Sequence, residues 1–332
     1  MKKTVLSVAV WLAALCVCLL LADRMTRRDD GARKYDAFFS EKQDIDVFFL
    51  GTSRVLDGVS PMELWRDFGI TSYNLANSSE VLDVTEQVLR LALGSHTPKV
   101  AVIDVYYVYH SVAERWTYPY RHLYFDEIPL SRAKLEAVHA TLPQSEWLEF
   151  LMPFSLYHGR WEELLSGSVE RMVDCETFMM GSELRIGRTP CEGVGRTQAT
   201  TEETLPGFAA LERIVALCRE RGVEPVFLMV PAPLDELEQT WVNSVAPLAE
   251  RLGVPFVNLL DEDTGVDFGT DCYDVVGHLN PDGASKTTAW LGRWLTAHFP
   301  LADHRSDPAY GHWHARLLQY EAFRAAQWEQ LH

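Results

Sequence analysis

Three short blocks of this 332-residue chain hold the residue types that acyl transfer needs. The first is Gly51-Thr52-Ser53-Arg54, directly after the apolar run DVFFLG (46–51). The second is Tyr73-Asn74-Leu75-Ala76-Asn77-Ser78-Ser79. The third, DCYDVVGHLNPDG (271–283), sets Asp271, Asp274 and His278 just before a helical pattern that starts near Asp282. A serine hydroxyl is a weak nucleophile at neutral pH and needs a base to take its proton. His278 could be that base, with a carboxylate fixing its tautomer and stabilising the imidazolium. Backbone N–H groups near Ser53 and in the Ala76–Ser78 turn could stabilise an oxyanion, where one lost donor typically costs about 100- to 1000-fold in rate. Each block alone has a plainer reading. A Gly-Thr-Ser turn after a strand is common, a histidine before a helix is often a cap, and Asn74 and Asn77 can satisfy turn backbone groups. The ordered combination is what singles these residues out.

Positioning them requires a sheet. DVFFLG (46–51), SYNLA (72–76), VAVIDVY (100–106), PVFLMVP (225–231) and PFVNLL (255–260) are near-continuous apolar runs, the pattern of strands covered on both faces in a parallel sheet. Helical patterns lie between them. SPMELWRDFG (60–69) has Ser60 and Glu63 at capping-box spacing, Pro61 at the first helical position and Gly69 at the end. SEVLDVTEQVLRLALG (79–94) and GFAALERIVALCRERG (207–222) repeat the theme. The alternation predicts a doubly wound α/β fold, in which ligands bind beyond the carboxyl ends of the strands at the point where strand order reverses. Ser53 stands at such an end. Residues 107–205, rich in Tyr, Trp and His, interrupt the alternation and read as an inserted, mostly helical cap; 301–332 read as a helical tail.

Residues 4–22 carry no charge and match the roughly 20 residues of a membrane-crossing helix. A cleaved signal peptide is the alternative, but its apolar core is usually about 7–15 residues. An uncleaved anchor followed by a juxtamembrane linker (23–43) is the expectation. Arg24, Arg27, Arg28, Arg33 and Lys34 follow the span and only Lys2 and Lys3 precede it, which by charge alone would keep the main domain in the cytoplasm. A net charge of -17 argues against a general affinity for nucleic acid or anionic surfaces. Of the six cysteines, Cys16 and Cys18 lie in the span and Cys218 in a helical pattern. Cys175 and Cys191 flank a loop-like segment, as an exported disulfide pair or as buried thiols. The pattern His312-Trp313-His314 lacks a convincing third metal ligand, and there is no nucleotide-binding glycine loop, so neither metal nor cofactor is expected.

The blocks FLGTSRV…SPMELWRDFGITSYNLA, PKVAVIDVYYVY, FSLYHGRWEEL and HLNPDGASKTTAWLG resemble the SGNH (GDSL-like) hydrolase superfamily, and within it the membrane-anchored bacterial branch that includes the teichoic acid D-alanyl transfer protein and alginate O-acetylation proteins. The resemblance covers residues 44–300. It implies a three-layer α/β/α sandwich with a five-stranded parallel sheet in order 2-1-3-4-5. It makes Ser53 the nucleophile, His278 the base and Asp274 its orienting carboxylate, with Ser53, Ala76 and Asn77 around the oxyanion.

The same resemblance implies a main domain outside the membrane, an acyltransferase or esterase activity on a cell-envelope polysaccharide or teichoic acid, and a membrane-bound O-acyltransferase as partner. Three departures stand out. The family spacing is Asp-x-x-His, whereas Asp274 and His278 are one residue further apart, so Asp271 or a backbone carbonyl could orient the imidazole instead. Ala76 replaces a glycine. No third-block asparagine is evident, since Asp104 and Tyr106 stand at that strand end. These changes leave a second class of function open: a non-catalytic assembly or partner subunit of an envelope O-acylation system.

Overall fold

The computed structural model describes residues 2–26, 32–115, 117–126, 128, 130–157, 159, 177–193 and 195–329. The chain forms two compact units. One joins Met1–Arg33 to Arg121–Asp174, and the other joins Lys34–Tyr120 to Cys175–His332.

In the first unit, helix α1 (Lys2–Thr26) contains a stretch, Lys3–Asp23, long and apolar enough to cross a bilayer. Its Val5, Leu6, Trp11 and Leu15 side chains are exposed. The unit also holds a set of short helices within Arg121–Asp174. His122 bonds Asp126 at 2.9 Å and stacks on Phe150, and Arg121 pairs with Glu146 at 2.6 Å. The Phe154 N–H donates to Asp23 Oδ1 at 2.8 Å.

The second unit begins within α2 (Ala32–Ser40), at Lys34, and builds one parallel sheet from five described strands: β1 (Val47–Leu50), β2 (Ser72–Asn74), β3 (Val100–Asp104), β4 (Glu224–Met229) and β5 (Phe256–Asn258). Their order is β2-β1-β3-β4-β5. All residues of β1 and β3 are buried, which is why those runs are continuously apolar rather than alternating. The register pairs Leu50 with Ile103 and Asp104 with Leu228. The chain leaves β1 toward β2 on one side and returns to β3 on the other, so the reversal of strand order falls at the carboxyl end of β1. Val47, Phe49, Val102, Leu228 and Val257 form one core with Leu64, Leu291 and Leu295 from helices.

Two short helices follow β1: α3 (Ser53–Gly58) and α4 (Pro61–Phe68). Ser60 caps α4 as expected, accepting from the Glu63 N–H, and Gly69 ends it in the left-handed conformation with φ 69°. The other half of the expected capping box does not form. The Glu63 carboxylate is drawn away by Ser285 (2.9 Å), Tyr320 (2.8 Å) and Arg324 (2.7 Å), and the Ser60 N–H donates to Thr288 Oγ1 instead. Tyr320 and Arg324 belong to the C-terminal tail helix (Gly311–Glu329), whose Trp313 is fully buried against Trp65. The tail is thus a packed part of this unit.

The interruption between β3 and β4 is only partly helical. Val112–Arg115, Tyr118–Phe125, Arg132–Thr141, Trp147–Leu151 and Phe154–Tyr157 are helices. The described residues of 177–205 carry one 3₁₀ turn (Thr177–Met179) and otherwise run without regular structure, through Gly181, Gly187, Pro190, Gly193 and Gly195.

Candidate active site

The turn after β1 is held from below. Gly51 has φ +128°, and a Cβ there would stand 2.3 Å from the Asp104 Cβ, so only glycine fits. Thr52 is the N-cap of α3 and its side chain accepts from the Arg54 N–H at 3.3 Å. Its own N–H donates to Asp104 Oδ2 at 3.0 Å, and its hydroxyl donates to the same oxygen. Asp104 Oδ1 takes the Tyr106 N–H at 2.9 Å. Asp104 is buried at the end of β3, and burial pushes its carboxyl above the usual carboxylate range against these hydrogen bonds. Ser53 is therefore delivered, partly exposed, at the first position of α3 on a turn fixed by the neighbouring strand.

The answering residues come from a closed loop. Cys272 and Leu279 form an antiparallel bridge, and the Tyr273 N–H donates to the His278 carbonyl at 2.8 Å. Within that loop Gly277 has φ +80° and packs on Pro233. His278 is thereby turned back over Asp274, whose Oδ1 accepts the His278 N–H at 3.0 Å and whose Oδ2 accepts the ring Nδ1–H at 2.8 Å. With Nδ1 donating, Nε2 is the acceptor, and Ser53 Oγ lies 2.8 Å from it. The extra residue between Asp274 and His278 is absorbed by the turn at Gly277. Asp271 is occupied elsewhere, by Lys286 (2.6 Å), Thr270 (3.0 Å) and the Asp267 N–H (2.7 Å).

The surroundings favour a neutral imidazole. Burial lowers the His278 pKa, the hydrogen bond that the ring donates to Asp274 opposes it, and the nearby Arg54 cation adds to the lowering. The Arg54 guanidinium lies over the Tyr106 ring at 4.4 Å and donates to the Val276 and Gly277 carbonyls at 3.0 and 3.2 Å. It ties the serine helix to the histidine loop. One turn along α3, Asp57 is buried beside Glu183 and Arg185; burial first, then Glu183, holds its carboxyl well above the usual range. Tyr106 and Tyr109 both donate to Glu238, and Tyr109 stacks on Trp241 at 4.2 Å. Val275 and Val276 are exposed at the outer edge of the loop.

The second block serves mainly as scaffolding. Asn74 Nδ2 donates to the Val55 and Val59 carbonyls at 2.8 and 3.1 Å, tying β2 to the end of α3. The Ala76 N–H donates to Asn74 Oδ1 at 3.1 Å and the Asn77 N–H to the Gly51 carbonyl at 2.9 Å. The Asn77 side chain bonds Tyr35, Leu75 and Glu80. Two of the three residues expected around an oxyanion thus have their amides on protein acceptors. The Ser53 amide, at a helix start, is of the kind left without an intrahelical acceptor.

Arg54, Asp104 and Gly277 were not singled out as site residues from sequence. Asp104 had a signal, since a lone carboxylate ends an otherwise apolar strand; Arg54 had only its place beside Ser53. His312 and His314 diverge, to Glu41 and to the Arg305 carbonyl, and among the described residues no His, Cys, Asp or Glu cluster could hold a metal ion. Cys218 is fully buried; Cys175 lies outside the described residues. Compared with known proteins, the chain matches no family model and no curated sequence.

Proposed function

We propose that this chain is a membrane-anchored, extracytoplasmic SGNH-type serine acyltransferase or esterase, acting on a cell-envelope polysaccharide or teichoic acid, with its sheet at the centre of a three-layer α/β/α domain. The observation that carries the reading is the relay from Ser53 Oγ to His278 Nε2 and from Nδ1 to Asp274, at 2.8 Å in each step. In this reading Ser53 Oγ attacks an ester carbonyl while His278 takes its proton, and Asp274 stabilises the imidazolium. The Ser53 N–H faces the developing oxyanion. His278 then protonates the departing alcohol, which leaves an acyl-serine. An incoming hydroxyl, from water or from a sugar, gives its proton to His278 and takes the acyl group, and His278 returns the proton to the departing Ser53 Oγ. A membrane-bound O-acyltransferase is the proposed partner that loads or receives the acyl group.

The test is fluorophosphonate labelling of the purified full-length chain, with polymer O-acylation followed in cells. Ser53→Ala is expected to abolish both. Labelling retained in Ser53→Ala would refute the role given to Ser53.

A second reading, a non-catalytic assembly subunit, draws support from the Ala76 and Asn77 amides already bonded to Asn74 and Gly51. It predicts that Ser53→Ala fully complements a deletion strain.

A further inference from the structure

The segment Gly187–Cys191 runs alongside the loop that carries Asp274 and His278. The Thr189 N–H donates to the Cys272 carbonyl at 2.9 Å, and its hydroxyl donates to the Tyr273 carbonyl at 2.9 Å. The Cys191 N–H donates to the Phe268 carbonyl at 2.9 Å, and Asn280 Nδ2 reaches back to the Gly187 carbonyl at 3.0 Å. These bonds hold two thiols together. The Cys191 thiol donates to the carbonyl of Asp274, two residues along the chain from Cys272, at 3.0 Å, and the Cys272 thiol has Cys191 as a neighbour. Cys272 is fully buried and Cys191 partly exposed.

We propose that Cys191 and Cys272 are the two halves of a disulfide that closes in an oxidising compartment and staples the 187–191 segment to the loop bearing Asp274 and His278. The exposures assign the order of events. Cys191 is the sulfur an oxidant can reach. Its thiolate attacks one sulfur of an incoming disulfide, either a protein disulfide oxidase or a low-mass disulfide such as oxidised glutathione, and expels the first thiol. Cys272 then releases its proton and attacks the Cys191 sulfur of the mixed disulfide, expelling the second thiol. Two protein thiols are oxidised and one external disulfide is reduced to two thiols. Burial, then the neighbouring Cys191 thiol, pushes the Cys272 thiol up to about 12, which makes it a poor first attacker and suits it to the resolving step.

The pairing differs from both sequence readings of Cys191, a bridge to Cys175 and a buried free thiol. It requires no catalytic role for Ser53, so it stands or falls separately from the proposed activity.

The purified full-length chain is equilibrated with an oxidised glutathione buffer, quenched by alkylation and digested without reductant for mass spectrometry. The expected product is a reductant-sensitive peptide pair joining Cys191 to Cys272. Recovery of both as alkylated thiols, of Cys191 carrying glutathione beside a free Cys272, or of Cys191 joined to Cys175 would overturn the proposal. In thermal melts the oxidised protein is expected to unfold roughly 4–10 °C above the reduced protein, and Cys191→Ser is expected to lose that difference. A redox difference that persists in Cys191→Ser would also overturn it.

Discussion

Asp104 accepts both the N–H and the hydroxyl of Thr52, the residue immediately before Ser53, and so fixes the serine turn without touching the serine. Asp104→Asn is expected to turn its amide N–H groups either toward the Thr52 donors or toward the Tyr106 N–H, since these occupy the two carboxylate oxygens. A buried polar group left without its partner costs about 1–3 kcal/mol. The variant should therefore melt earlier and label with fluorophosphonate more slowly, while Ser53 itself remains. An unchanged labelling rate would show that the turn holds without Asp104.

The pH dependence of labelling follows from His278. The base form of the imidazole is the neutral one. Burial lowers the ring pKa below the ordinary 6.5, so the neutral form persists into more acidic solution. The acid limb of the labelling rate is expected to have its midpoint below 6.5. Asp274→Asn removes the acceptor that selects the Nδ1–H tautomer, and by analogy with other serine triads should slow the reaction about ten-thousandfold. A midpoint at or above 6.5 in the unmodified chain would contradict the environment described for His278.

Glu80 gives the fold its own pH response. It is buried where Asn77 (3.0 Å) and Thr85 (2.7 Å) donate to it, and burial raises its pKa from 4.5 to about 8 despite those bonds. Because the folded-state pKa lies above the unfolded one, the folded chain holds a proton that the unfolded chain releases between these values. The contribution is fully present below 4.5 and is lost as pH rises through about 8. Denaturant unfolding should therefore show stability falling across that window. Glu80→Gln, neutral at every pH, should flatten the slope; an equal slope in the variant would rule Glu80 out as its source.

The sheet was legible because each strand is a continuous apolar run closed by turn residues, and Ser53 stood out because it follows the first such run and is answered by Asp274 and His278 just before the helical pattern that starts near Asp282. Four of the five strands fall inside the expected runs, whereas β4 starts one residue early, at Glu224, which pairs with Val100; all five stop short of the ends of their runs. What was not legible depends on residues far apart in the chain. The choice between Asp271 and Asp274 as partner of His278 is made by the Cys272–Leu279 bridge and by Lys286, which engages Asp271. Glu63 has capping-box spacing, yet Tyr320 and Arg324 from the tail claim its carboxylate. The aromatic-rich part of 107–205 forms short helices, whereas the described residues of 177–205, with their glycines and Pro190, run mostly as an irregular strap.

Gly277 separates backbone strain from site geometry. At φ +80° an alanine is strained by about 1–2 kcal/mol, and its Cβ would also stand 2.2 Å from Pro233 Cδ. The ring of Pro233 cannot swing aside as a flexible side chain would, so the loop must move. That loop carries His278 one residue later, and the Gly277 carbonyl anchors Arg54 at 3.2 Å. Gly277→Ala should therefore lower the melting temperature and withdraw His278 from Ser53, with a large loss of labelling. Gly265 supplies the control. Its φ is +74°, but nothing lies within 4 Å of a Cβ built there. Gly265→Ala should show the backbone cost in a thermal melt and leave labelling unchanged. Equal labelling losses in the two variants would mean that strain, rather than displacement of His278, explains the effect.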